Sequence, residues 1–172
     1  MKNLFKLVFL FFVLFFITGC TSKITSENIE PIFTSDKKFP YSIEVKTFGG
    51  KDKNILGIQE VSNENLLKAV SSTIKKSQLF QNVVTNDSNI TLELFIVRVG
   101  QPVAGGTMTV NVEIAWALKK EEKIIWKKSI ITSSTKTISE VANAYNRIIE
   151  ASIFATQLNI KQGLLEISKL EL

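Results

Sequence analysis

The strongest constraint on this chain is an apolar alternation of period two that runs through three neighbouring segments. Leu92, Leu94 and Ile96 share one face of the first, Met108, Val110, Val112, Ile114, Trp116 and Leu118 one face of the second, and Ile124, Trp126 and Ile130 one face of the third. Successive side chains of a strand point to opposite sides, so this pattern buries one face of a sheet along each segment. Lys119-Lys120-Glu121-Glu122 joins the last two segments as a charged hairpin turn, and Gly100 to Gly106 joins the first two as a longer, mostly apolar loop. The three are predicted to form a meander.

Two stretches have the helical period instead. Ser62 stands as an N-cap with Glu64 in the first turn, and Leu66, Leu67, Val70 and Ile74 follow at helical spacing as far as Ser77 or Phe80. Thr137 and Glu140 have the spacing of a capping box, and Ile138, Val141, Ala142, Tyr145, Ile148, Ile149, Ser152, Ile153, Ala155 and Thr156 mark a long helix beyond it. Gly163 is placed to kink or end that helix, with Leu164, Leu165, Ile167 and Leu170 continuing the apolar spacing. Upstream, Tyr41 to Thr47 alternates weakly, with Ile43 and Val45 on one face, until Gly49-Gly50 stops it. Asn82 to Thr85 leaves room for a short extra strand before the turn Asn86-Asp87-Ser88-Asn89. The expected order is β-α-β-β-β-α, a single α+β domain over residues 41–172 with two helices packed on one face of a mostly antiparallel four-stranded sheet. About 130 ordered residues bury a self-sufficient core, so folding is expected to need no metal, disulfide or cofactor.

The N-terminus follows other rules. Lys2 and Lys6 precede Leu7 to Ile17, an unbroken apolar run of 11 residues, whereas a bilayer-spanning helix needs about 20. Six of the 12 Phe fall before residue 17, so the 45% hydrophobic content overstates how apolar the remainder is. A positive start, a short apolar run and small residues at its end predict a signal peptide over residues 1–19. The run closes on Ile17-Thr18-Gly19-Cys20, which resembles the lipobox of bacterial lipoproteins: an aliphatic residue, two small residues, then the cysteine. The resemblance implies cleavage between Gly19 and Cys20, acylation of the Cys20 thiol, as with palmitate, and of the new amino terminus, and tethering to a membrane. Two or three acyl chains, at about 0.8 kcal/mol per buried methylene, hold far more firmly than one. In the enterobacterial sorting pattern an Asp after the cysteine marks retention in the inner membrane. Thr21 stands there instead, which implies the periplasmic face of an outer membrane, or the exterior of the plasma membrane if the source is Gram-positive. From Thr21 to about Lys38 the chain is polar and aperiodic, with Pro31 and Pro40 blocking regular structure, so residues 20–40 are expected to be a lipidated cysteine and flexible tether.

Composition removes many functions. There is no His and the single Cys is Cys20, which excludes Ser-His-Asp and Cys-His nucleophiles, His-ligated zinc, CxxC redox pairs and an intrachain disulfide. Cleavage after Gly19 removes two of 21 basic residues and no acidic one, leaving 19 against 16. So modest and dispersed a surplus is not the basic stripe that nucleic-acid binding requires. Glu93 and Glu113 fall on the non-core faces of strands expected to be neighbours. A glycosidase would need them opposed across a cleft, but set among Thr91, Thr109, Asn111 and Lys127 they read as a solvated sheet face. Gln101-Pro102-Val103-Ala104-Gly105-Gly106 lacks the spacing of a phosphate-cradling loop. No spacing among Ser, Thr, Lys, Asp and Glu picks out a nucleophile, so no catalytic residue, no metal site and no enzyme are expected.

The sheet face turned away from the helices is less polar than solvent would favour: Phe95, Val97, Ala115, Ala117, Ile125 and Ile131 all point there. Monomers rarely leave such a patch bare, so it is expected to dock against another protein, a second copy or an acyl chain, with Phe95 and Ile125 as anchors. Pro102 and Val103, at a loop tip, are either a second partner contact or a plain strand connection. Lys119, Lys120, Lys123, Lys127 and Lys128 gather around the last hairpin, as a lipid head-group site or as charges that keep a hairpin soluble. Trp116 and Trp126 are in phase with the apolar set and are expected in the core. The lipobox, the polar tether and the element order over residues 41 to 172 resemble small envelope-assembly lipoproteins such as the lipopolysaccharide-assembly lipoprotein. That resemblance implies a membrane-anchored, non-enzymatic accessory or scaffold component with an envelope protein as partner; the alternative is a periplasmic carrier with a lipid or glycolipid ligand. Cys20→Ala is expected to abolish incorporation of labelled palmitate and leave the leader uncut, and undiminished labelling would remove the lipobox reading.

Overall fold

A computed structural model describes residues 22–172; the lipobox and Cys20 lie outside the described residues. The elements run α1 (Ser26–Ile29), β1 (Phe39–Phe48), α2 (Asn63–Ser77), β2 (Phe80–Val84), β3 (Ile90–Gly100), β4 (Thr107–Lys120), β5 (Lys123–Thr137) and α3 (Ala144–Ser168). The sheet has five strands, not the expected four, in the order β2-β1-β3-β4-β5. β2 is the added strand. It lies parallel to β1 at one edge, with Phe39 opposite Phe80, and α2 is the crossover that two parallel neighbours require. β1 is parallel to β3 as well, so the antiparallel meander is confined to β3, β4 and β5.

The period-two pattern is realised along β3 and β4. Leu92, Leu94, Met108, Val110, Val112, Ile114, Trp116 and Leu118 are all buried beneath the helix layer. At the edge strand β5 the alternation is weaker in effect: Ile130 is buried and Trp126 half-buried, but Ile124 is exposed. The register shifts between Leu118 and Lys119, so that Ile124 lies opposite Lys119 and is turned from the helix-covered face to the open one.

Both helices begin on Asx or Ser caps. Ser62 Oγ accepts from the Asn65 amide at 3.2 Å, and α2 ends at Ser77, where Gln78 turns left-handed. The long helix starts later than its capping-box spacing predicts, because Thr137 still belongs to β5 and Asn143 is the N-cap. Thr137 and Glu140 do bond, but within a turn: the Thr137 amide donates to Glu140 Oε2 at 2.8 Å. Ile138 therefore stands exposed on that turn instead of on the buried helix face.

The segment expected to hang free between residues 20 and 40 is, from Ser22 on, part of the domain. Ile24, Ile29 and Phe33 are buried, and α1 lies against both α2 and α3. The Ile24 amide donates to Gln59 Oε1 at 2.9 Å while Gln59 Nε2 donates back to the Ile24 carbonyl at 2.9 Å. Gln157 Nε2 donates to the Asn28 carbonyl at 2.7 Å. Three widely spaced apolar residues suffice to bury this segment, since side chains of the domain, Gln59 and Asn65 among them, satisfy its backbone.

Gly163 neither kinks nor ends α3, which continues to Ser168. It permits contact: a Cβ at this position would overlap the Trp116 indole. The same indole is fixed by its Nε1, which donates to Asn159 Oδ1 at 3.0 Å one helical turn earlier. Asn159 Nδ2 in turn donates to the Ile130 carbonyl at 2.8 Å, so a fully buried amide joins α3 to both β4 and β5. Alanine at 163 gains up to about 1 kcal/mol of helix propensity, but the ring it meets is pinned and overpacking costs about 1–3 kcal/mol. Gly163→Ala is accordingly expected to lower the urea midpoint. Asn159→Ala is expected to lower it too, with a loss of stability of about 1–3 kcal/mol, through the indole N–H left unpaired in the core.

Candidate functional site: the open face of the sheet

The helices cover one face of the sheet, and the other holds a shallow groove of about 500 Å³. Its construction follows from the register. Phe48 lies opposite Phe95, Phe95 opposite Ala115, and Ala115 opposite Ser129, forming one rung across four strands. The next rung is Lys46, Glu93, Ala117 and Lys127. The two alanines make a low floor on β4, the two phenylalanines a raised wall on one side, and Lys127 and Ser129 the other. Phe48 is 45% and Phe95 51% exposed, so each shows an apolar ring to whatever enters.

Gly49 sets that wall. Its φ is 78°, and a Cβ there would stand 2.5 Å from the Ile96 carbonyl oxygen and 3.2 Å from the Phe95 ring. Only glycine lets β1 end this close to β3. Phe48 escaped the sequence reading because the strand was ended at Thr47, ahead of the glycine pair. The signal was present: Glu44, Lys46 and Phe48 continue the outward phase set by Ile43 and Val45.

The four expected partner residues are not brought together. Phe95 is in the groove. Ile125 is 43% exposed but is not among the groove residues: it is the extra residue of the bulge near the hairpin. Pro102 and Val103 are at the opposite end of the sheet, past Gly100, with Val103 74% exposed. Val97, also expected on this face, is the extra residue of a bulge between Ile96 and Arg98, and it is half-exposed.

The charges are arranged as local pairs. Glu93 accepts from Lys119 Nζ at 2.7 Å, and that bond holds the Lys119 ammonium above its ordinary pKa. Glu113 accepts from Ser129 Oγ at 2.9 Å and lies opposite Arg98. Glu93 lies opposite Ala117, four residues along β4 from Glu113, about 13 Å at strand rise. That exceeds the spacing of either glycosidase geometry. The lysines of the last hairpin likewise fail to form one cluster. Lys119 pairs with Glu93, Lys120 lies over the Tyr41 ring at 4.6 Å, and Lys128 reaches across the helix side to Glu166 at 3.2 Å. Of the hairpin lysines, Lys127 and Lys128 line the groove, and Lys119, Lys120 and Lys123 do not.

No protein-family model matches the sequence, and no curated protein is similar to it. Solved structures do resemble it. A protein from Xanthomonas campestris superposes with a TM-score of 0.57 at 12% identity, over 78% of this chain and 92% of that one. A hypothetical protein from Chlamydia trachomatis gives 0.58 at 5% identity, over 76% and 96%. A minor lipoprotein from Acinetobacter baumannii gives 0.51 at 8% identity, over 76% and 92%. What is shared is a fold. A domain of this architecture therefore occurs in at least one bacterial lipoprotein, with nearly the whole of that chain covered.

The groove residues should matter little to stability. Phe95→Ala is expected to cost about 1 kcal/mol or less, because the ring is half in solvent already, whereas Leu94→Ala on the buried face should cost about 2–5 kcal/mol. Urea denaturation of the two variants measures the difference.

Proposed function

We infer that this protein is a membrane-anchored envelope lipoprotein that acts without catalysis, as an accessory or scaffold component that binds an envelope protein through the open face of its sheet. The observation that carries the reading is the groove itself. An alanine floor beside two half-exposed phenylalanines is an apolar surface held on rigid strands, with Glu93 at its margin paired to Lys119. The lipobox supports the anchor, and the fold shared with a minor lipoprotein supports the class. The expected site is the periplasmic face of an outer membrane, from Thr21 after the cysteine. The resemblance to the lipopolysaccharide-assembly lipoprotein in the order of helices and strands favours an assembly or transport machine as the setting.

The carrier alternative has less support. A carrier needs a deep cavity, and the space between sheet and helices is occupied where Trp116 meets Gly163. The groove is instead open along its length, as a protein contact requires. Phe95→Lys with Ile125→Lys is expected to release a copurifying envelope protein and shrink the complex extracted in mild detergent. An unchanged complex size would sink the docking face, and a defined lipid copurifying in place of any protein would favour the carrier.

A further inference from the structure

The described chain begins at one end of the sheet, and that end has features the open face does not explain. Ser22 N donates to Asn146 Oδ1 at 3.1 Å in the first turn of α3. Ile24, two residues on, exchanges two hydrogen bonds with Gln59 and accepts a third from Asn65 Nδ2 at 3.1 Å. Gln101 Nε2 donates to the Gln59 carbonyl at 2.9 Å, and its Oε1 accepts from Asn54 Nδ2 at 2.9 Å. Asn54 Oδ1 then accepts from the Leu56 amide at 2.8 Å and the Ile58 amide at 3.1 Å, closing a tight turn. Arg147 fastens the neighbouring loop through the Gly105 carbonyl at 3.1 Å. One side-chain network thus ties the incoming chain to the loops after β1 and β3.

Those loops hold their apolar residues outward. Ile55 is fully exposed, Leu56 more than half and Val103 three-quarters. Gly57, beside them, has no atom near the place of a Cβ, so the turn stands clear of the domain. Flexible loops can fold such side chains back, but this turn is locked by Asn54 at its base. Lys23, Lys51 and Lys53 are exposed on the incoming segment and on the loop after β1, with Asp52 exposed between the last two. Apolar tips on loops where ammonium groups outnumber the exposed carboxylate are suited to the boundary between acyl chains and anionic headgroups.

The position of Cys20 decides which occupant this end takes. One residue, Thr21, separates it from Ser22, and a chain spans at most about 3.6 Å per residue, so the two positions are within about 7 Å of each other. Acyl chains on Cys20 would therefore hold this end of the domain, and not another, next to the bilayer. We propose that the end of the domain bearing Ser22 docks on the lipid surface, with Ile55, Leu56 and Val103 at the headgroup boundary and Lys23, Lys51 and Lys53 facing anionic headgroups. The proposal rests on the reading of Cys20 as the lipid anchor.

The test uses the full acylated chain in vesicles of phosphatidylethanolamine and phosphatidylglycerol. Environment-sensitive fluorophores are placed on Ile55→Cys, Val103→Cys and, at the far end of the sheet, Asn86→Cys. Emission at 55 and 103 is expected to shift to the blue and to be quenched by lipids brominated on their acyl chains, with neither effect at 86. Ile55→Asp with Leu56→Asp, which changes only exposed side chains, is expected to remove the quenching at 103. Mass spectrometry of the N-terminal peptide separates the two ways of failing. An unmodified Cys20 removes the anchor and the docking with it. An acylated Cys20 with the probes at 55 and 103 in water overturns the docking alone, and a blue shift without bromine quenching overturns it in favour of a protein contact.

Discussion

The close approach of α3 to β4 at Gly163 and Trp116 organises the rest of this fold. A helix normally stands off a sheet by the thickness of two side-chain layers. Here one large indole fills that space by itself, because the residue facing it has no side chain and the ring is oriented by Asn159. The Asn159 amide also reaches the backbone of β5, so the helix is registered against two strands and not merely laid on an apolar surface. Thr132 adds to this, donating to the Ala155 carbonyl at 2.7 Å. Buried polar bonds of this kind contribute modestly to stability and strongly to uniqueness of packing, since any other register leaves them unpaired.

With both long helices committed to one face, the other face is bare, and its composition shows how exposure is managed. Alanine at 115 and 117 keeps the centre of the sheet apolar without adding bulk. Charged residues sit at its margins. β5 is a 15-residue edge strand, a hazard for uncontrolled pairing, and it carries Lys123, Lys127, Lys128 and Lys136 along its length. Lysines on an edge discourage a second sheet from adding to it. The opposite edge, β2, has only five residues. Edge-to-edge association is thus discouraged while the centre of the face stays accessible.

The long period-two segments were legible in the sequence because each has enough repeats to define its phase, and the packing they predict for Trp116 is present. β2 was not, since five residues with an irregular burial pattern carry no period, and nothing local announces that it pairs in parallel. The start of α3 was misplaced because a capping-box spacing is met equally well by a single turn, as Thr137 and Glu140 show. Gly163 was recognised as unusual, but its reason is a tertiary contact with a residue 47 positions away. The N-terminal segment hid best. Ile24, Ile29 and Phe33 follow no period, and only the groove between α2 and α3 gives their spacing a meaning. On the open face, Phe95 was identifiable from phase alone, whereas Phe48 depends on the parallel pairing of β1 with β3.

The packing of residues 22–38 changes what a lipid anchor at Cys20 can do. A free tether of twenty residues would hold the domain roughly 25 Å from the bilayer and let it turn in any direction. With the chain fixed from Ser22, an anchor at Cys20, as the lipobox implies, would hold a defined end of the sheet, with the strands running away from it. Phe95 lies five residues from the Gly100 end of β3, about 17 Å at strand rise. The groove is then presented at a set height above the lipid and in a set orientation. On the proposed reading of an envelope partner, a membrane-embedded protein with a short extramembrane rim would meet the groove at that height more readily than a freely diffusing one. Such preorganisation lowers the orientational cost of association, which allows a shallow groove to select its partner without a large interface.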